Sequence, residues 1–255
     1  MTRPGRAAAL LLAAATAFAA GARSAQEPAS SSPAPAPVTA CTAVTPVPRP
    51  TGWWKRRQAA INRAVRERHP TLLFVGDSIT ESWERAGAPV WERFYGARNA
   101  ANLGVAGDRT EHVLWRLQHG NLEGLEPHLA VVLIGTNNAG VNPPAETAQG
   151  VEAVVRLLRD RLPNARVLLL AILPRGAGPA DRERLANDEV NRRIARLGED
   201  PAVDFLDLGE RFLAPGGGAS PELMPDLLHP NEAGYRIWAV AIEPYVAAAL
   251  EESPR

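Results

Sequence analysis

The stretch "LLFVGDSITESW", residues 72–83, decides how this chain is to be read. Leu72 to Val75 form a short unbroken apolar run, the pattern of a strand covered on both faces. Gly76-Asp77-Ser78 breaks that run where a parallel strand would end. In open α/β sheets the carboxyl end of a strand is where ligands bind and reactive groups collect. Ser78 is then either a helix N-cap, a position that Ser and Asp both favour, or a nucleophile. The motif alone leaves both roles open.

Working outward, four further apolar runs fit buried strands: 98–103, 129–134, 166–172 and 203–206, the first of them weakened by its Asn and Ala content. Between them lie segments of helical period at 111–120, 145–162 and 182–198, and a last helix is expected from about Asn231 to Leu250. In the 145–162 segment Val151, Val154, Val155 and Leu158 form the stripe of one buried helix face. Regular alternation of strand and helix predicts an α/β fold: a three-layer α/β/α sandwich around a five-stranded parallel sheet.

Composition narrows the function. The 255 residues carry 28 basic and 28 acidic side chains, so the formal charge is zero and no nucleic-acid partner is expected. A single lysine, Lys55, among the 28 basic residues reads as a genomic bias toward arginine. One cysteine, Cys41, excludes an intramolecular disulfide. At the N-terminus, Arg3 and Arg6 precede the apolar stretch "AAALLLAAATAFAA" and then "AGA" at 20–22, the pattern of an export signal over residues 1–22. The stretch is too short to span a bilayer comfortably, and no membrane span is expected once it is removed. Residues 23–50 are rich in Ala, Pro and Ser, cannot bury enough apolar surface to offset their ordering entropy, and read as a tether. "VTAC" at 38–41 has the form of a lipoprotein box, but its distance from the apolar stretch argues against lipidation of Cys41. Residues 51–250 remain for one domain, and the export signal predicts a location in the periplasm or outside the cell.

Three more segments fall at expected strand ends. "NLGVAGDRT" (102–110) carries Gly104 and Gly107, which let backbone N–H groups approach a ligand closely. "GTNN" (135–138) offers Asn137 or Asn138 as a donor or a cap, and "PDLLHPNEAGY" (225–235) sets Asp226 three residues before His229. Each alone is an ordinary turn or cap. Together they supply a Ser, a His with a nearby carboxylate, and amide donors, the parts list for acyl transfer. Pro230 biases His229 toward extended backbone and keeps it out of the following helix. No Gly-x-Ser-x-Gly surrounds Ser78, so the nucleophile elbow of the α/β-hydrolases is absent. Neither a Gly-x-Gly-x-x-Gly nor a P-loop lysine follows the first strand, which argues against nucleotide binding. No metal signature is present, and His112 and His119 read as ordinary helix residues.

These blocks resemble the SGNH, or GDSL, hydrolases, and within them the acetylhydrolase branch, over about residues 70–245. The resemblance implies a flavodoxin-like sheet, a Ser78 nucleophile, an Asp226–His229 pair, and an oxyanion hole of Ser78, Gly107 and Asn137. It also implies a small acyl pocket walled by Ile79, Thr136 and Leu228. No cofactor or metal is implied. The expected activity is hydrolysis of short-chain esters on polysaccharides or small molecules, with a phospholipid acetylhydrolase or lysophospholipase as the alternative, and the resemblance allows a homodimer. A non-catalytic binding module would call for a damaged site, and every expected residue is in place.

Overall fold

The computed structural model describes residues 41–251. The expected export signal and the tether up to residue 40 lie outside the described residues. Five strands, β1 (Leu72–Gly76), β2 (Ala100–Gly104), β3 (Leu129–Leu133), β4 (Arg166–Leu170) and β5 (Val203–Leu206), form one sheet in the order β2-β1-β3-β4-β5. Every pairing is parallel. This is the flavodoxin-like order, whose direction reverses between β1 and β3 and opens a crevice at their carboxyl ends.

Side chains alternate across the sheet, as the two-residue period of a strand requires. Leu73, Val75, Leu103, Val132 and Leu169 face one core, with α1 (Gly52–Arg68), α4 (Thr110–Arg116), α5 (Pro144–Arg161) and α6 (Arg182–Ile194) packed over them. Leu72, Phe74, Val131 and Leu168 face the other, under α3 (Ala88–Tyr95) and α7 (Glu232–Glu251). An aromatic cluster fills that second core: Trp83 lies 4.4 Å from Tyr235 and 5.1 Å from Trp238, centroid to centroid. Among the described residues no helix is long and apolar enough to cross a membrane.

Three local readings are corrected. The expected helix at 111–120 stops at Arg116; a wider turn follows in which His119 leaves helical geometry, stacks on Trp115 at 4.0 Å, and Gly120 takes a φ of 103°. Helices α1 and α3 were not among the expected elements, although α1 buries Trp54, Gln58, Ile61 and Val65 at helical spacing. Residues 41–50, assigned by composition to the tether, instead lie along the domain. Ala43 is buried, its carbonyl accepts from Thr110 Oγ1 at 2.8 Å, and the Val47 N–H donates to the Glu111 carbonyl at 3.2 Å. Composition argues only that a segment cannot build its own core; here the segment borrows the core of its neighbour.

Candidate active site

At the end of β1 the chain turns directly into a one-turn helix, α2 (Ser78–Glu81). No glycine is needed after Ser78 because Asp77 starts the helix: its Oδ1 accepts the Ile79 N–H at 3.0 Å. Glycine is needed before it. A Cβ on Gly76 would lie 2.3 Å from the Leu133 carbonyl oxygen, and one on Gly104 would lie 2.2 Å from the Glu81 nitrogen. The first turn therefore sits tightly between the ends of β2 and β3, with Ser78 at the crevice.

His229 arrives from the far end of the chain. Asp226 folds the segment before α7 into a tight turn: its Oδ1 accepts the N–H groups of His229 at 2.7 Å and Leu228 at 3.1 Å, while Leu227 takes a φ of 59°. Its other oxygen, Oδ2, lies 2.6 Å from His229 Nδ1, and His229 Nε2 lies 2.9 Å from Ser78 Oγ. Burial works against ionisation of Asp226, but the hydrogen bonds from the His229 ring and from the His229 and Leu228 backbone outweigh it and hold the carboxyl below its ordinary range.

The remaining loops meet through Asn137. Its Nδ2 donates to the Asp108 carbonyl at 2.9 Å and, more weakly, to Asp77 Oδ2 at 3.3 Å. One amide thus ties together the residue before Ser78 and the residue after Gly107. Asn138 is fully buried and holds the turn itself, accepting the Thr110 N–H at 3.1 Å and donating to Asn142 Oδ1 at 3.0 Å. Gly107 takes a φ of 71°, which a side chain would strain. Gly104 is different: it lies inside β2. Among the described residues, the N–H groups of Ser78 and Gly107 meet no acceptor.

Of the three residues expected to wall an acyl pocket, Ile79 and Leu228 belong to one apolar cluster. Ile79 is buried and its carbonyl accepts the Tyr235 hydroxyl at 2.6 Å, whereas Leu228 is half-buried. Thr136 is buried, with its Oγ1 accepting from Asn187 Nδ2 at 3.2 Å and from Arg175 Nη1 at 3.3 Å.

Sequence reasoning passed over the charges under the site. Asp108, fully buried, accepts from Arg116 Nε at 2.7 Å and from Trp54 Nε1 at 2.7 Å. Arg116, also fully buried, donates to the Leu103 and Gly76 carbonyls at 2.9 and 3.2 Å, fastening the ends of β1 and β2. Removing one partner of such a pair costs about 3–5 kcal/mol. The signal in the sequence is an arginine set between Val113, Leu114 and Leu117, all core residues. Asp77 is buried beside this pair. Removal from water pushes its carboxyl up to about 7, reinforced by Asp108 and opposed by the Ile79 N–H and by Arg116.

The sheet order and its flanking helices define a class: α/β/α folds with a crevice at the carboxyl ends of the first and third strands. The chain belongs to the GDSL-like lipase/acylhydrolase family, which it matches over residues 74–237. It is 35% identical over 202 residues to the alpha2 subunit of platelet-activating factor acetylhydrolase IB from Gallus gallus, covering 79% of this chain and 86% of that one. Solved structures of the same fold include a GDSL-like lipase from Bacteroides thetaiotaomicron, with a TM-score of 0.63 and 22% identity over 76% of this chain and 97% of that one. An acetylxylan esterase from Geobacillus stearothermophilus superposes with a TM-score of 0.55 and 18% identity over 69% of this chain and 93% of that one. The protein is a carboxylic ester hydrolase.

Proposed function

We propose that this chain is an exported serine esterase that removes short acyl groups, acetyl above all, by way of an acyl-enzyme. His229 Nε2 takes the proton of Ser78 Oγ as that oxygen attacks the ester carbonyl, and Asp226 holds the imidazole in the tautomer that leaves Nε2 free. The oxyanion is met by the N–H groups of Ser78 and Gly107 and by Asn137 Nδ2, which exchanges its longer contact with Asp77 for the substrate. The proton on His229 passes to the leaving alcohol; a water molecule, deprotonated by the same nitrogen, then cleaves the acyl-serine. The observation that carries this reading is the continuous line Ser78 Oγ, His229 Nε2, His229 Nδ1, Asp226 Oδ2, with spacings of 2.9 and 2.6 Å, beside two N–H groups, of Ser78 and Gly107, that meet no acceptor among the described residues.

The acyl group is argued from what the relatives share. One is named as an acetylhydrolase of platelet-activating factor and a structural neighbour as an acetylxylan esterase, so the acetyl is common and the alcohol is not. The N-terminal export pattern favours a polysaccharide or small ester met outside the cytosol. A phospholipid acetylhydrolase is the second reading, favoured by the 35% identity to the vertebrate subunit. The test is turnover of p-nitrophenyl acetate, acetylated xylan and a short-chain phospholipid by wild type and Ser78→Ala. The variant should lose all three activities and its labelling by an organophosphate while keeping its melting temperature. Retained turnover would place the nucleophile elsewhere.

A further inference from the structure

Arg49 lies upstream of the family match, in the segment that composition assigns to a tether. Its side chain nevertheless reaches the loop after β2. Nη1 donates to the Ala106 carbonyl at 2.7 Å and lies 3.8 Å from Asp108 Oδ1. A Cβ on Gly107 would come within 2.8 Å of Nη1 and 3.5 Å of Nη2, so the guanidinium lies directly over the Gly107 backbone. The Trp53 ring backs it, 5.2 Å from centroid to Cζ.

The Ala106 carbonyl and the Gly107 N–H belong to one planar trans peptide unit and point in opposite directions. Whatever holds the carbonyl therefore aims the N–H. The other polar group of Ala106 is held as well: its own N–H donates to Glu81 Oε2 at 2.5 Å. A cation and a carboxylate thus grip residue 106 from two sides, and the 106–107 unit cannot swing without breaking a charge-assisted bond. A positive charge on the carbonyl oxygen also polarises the unit and makes its N–H a stronger donor.

We infer that Arg49 is a positioning residue for ester hydrolysis, aiming and polarising the Gly107 N–H toward the oxyanion. This rests on the reading of Gly107 as an oxyanion donor. Arg49 itself touches no reacting atom and moves no proton. It tunes one of three donors, and losing a whole donor lowers kcat by about 10²–10³, so losing Arg49 should lower it by about tenfold.

The test measures kcat, KM and melting temperature on p-nitrophenyl acetate for the full chain with Arg49→Lys, Arg49→Gln and Arg49→Ala. Active sites are counted by organophosphate titration so that misfolded molecules are excluded. The expected order of kcat is wild type, Lys, Gln, Ala, with KM within about twofold throughout and inhibition by a trifluoromethyl ketone weakening in step with kcat/KM, since its hemiketal oxyanion mimics the transition state. Added guanidinium ion should restore part of the Arg49→Ala rate. Should Arg49→Ala fold poorly, the Lys and Gln variants decide, and equal kcat in those two overturns the inference. So does wild-type kcat per titrated site in Arg49→Ala, or a loss confined to KM. Ser78→Ala in the same series separates the two claims. If it is inactive while Arg49→Ala is unimpaired, only the role of Arg49 falls; if it is active, the reading of the site falls with it.

Discussion

Replacing Asp226 by Asn exchanges one carboxylate oxygen for an NH2 group, and the hydrogen bonds around that carboxylate set the outcome. The acceptor Oδ1 that binds the His229 and Leu228 N–H groups is preserved as the amide oxygen, so the tight turn and the positive φ of Leu227 keep their support. The amide nitrogen falls where Oδ2 stood, 2.6 Å from His229 Nδ1. Two donors cannot face each other, so the imidazole moves its proton to Nε2 and presents Nδ1 as the acceptor. Nε2 is the atom 2.9 Å from Ser78 Oγ, and once protonated it cannot take the serine proton. In a serine protease this tautomer error lowers kcat by about 10⁴, equivalent to about 5.4 kcal/mol of transition-state stabilisation at about 1.36 kcal/mol per decade. Because the backbone contacts survive, the melting temperature should move by no more than a few degrees. Steady-state kinetics on p-nitrophenyl acetate near neutral pH, alongside thermal unfolding, measures both. Asp226→Ala is the control: it loses the turn contacts as well and should melt lower than Asp226→Asn. An Asp226→Asn enzyme retaining a tenth of wild-type kcat would refute the argument that the carboxylate sets the tautomer.

Asn137→Ala should lower kcat by about 10²–10³ with little change in KM; a change in KM alone would show that the amide binds substrate in the ground state or merely holds the turn. Wild-type kcat/KM should be highest for acetyl esters and fall steeply by butyryl, because overpacking a closed pocket costs about 1–3 kcal/mol. Leu228→Ala should move the optimum to longer chains, and a wild-type preference for octanoyl esters would refute the pocket. Asp77 titrates at about 7 in the fold, above its ordinary 3.8. The unfolded chain therefore releases a proton that the folded chain keeps, and the contribution of Asp77 to stability falls as pH rises between those two values and is level above them. The melting temperature of Asp77→Asn relative to wild type should rise across that window, and a gap that does not change with pH would refute the shift.

The sheet was legible because parallel strands covered on both faces leave unbroken apolar runs, and all five runs became strands even where, as at Ala100–Gly104, the run was poor in large side chains. The Asp226–His229 pair was legible for a related reason: residues three apart that meet in one turn are a local feature. The support beneath the site was not. Trp54 meets Asp108 across 54 residues, and Arg49 meets Ala106 across 57, contacts that only the closed fold creates. A proline-rich segment that fits along a neighbour also looks, by composition, like one that does not. Asn137 and Asn138 show the same limit on a smaller scale. Adjacent and chemically identical, they are told apart only by burial, one facing the crevice loops and the other sealed in the turn.

The carboxylate of Asp226 is 58% exposed and the imidazole of His229 34%, while Ile79 beside the serine is buried. On the proposed mechanism, proton transfer runs along the rim, with the buried Ile79 lying inward of it. On that reading an ester need insert only the acyl fragment it leaves behind on the serine, and the departing alcohol can stay in bulk water throughout. Selection would then fall on the retained half of the bond, and the released half could be as large as a polymer chain without the enzyme having to enclose it.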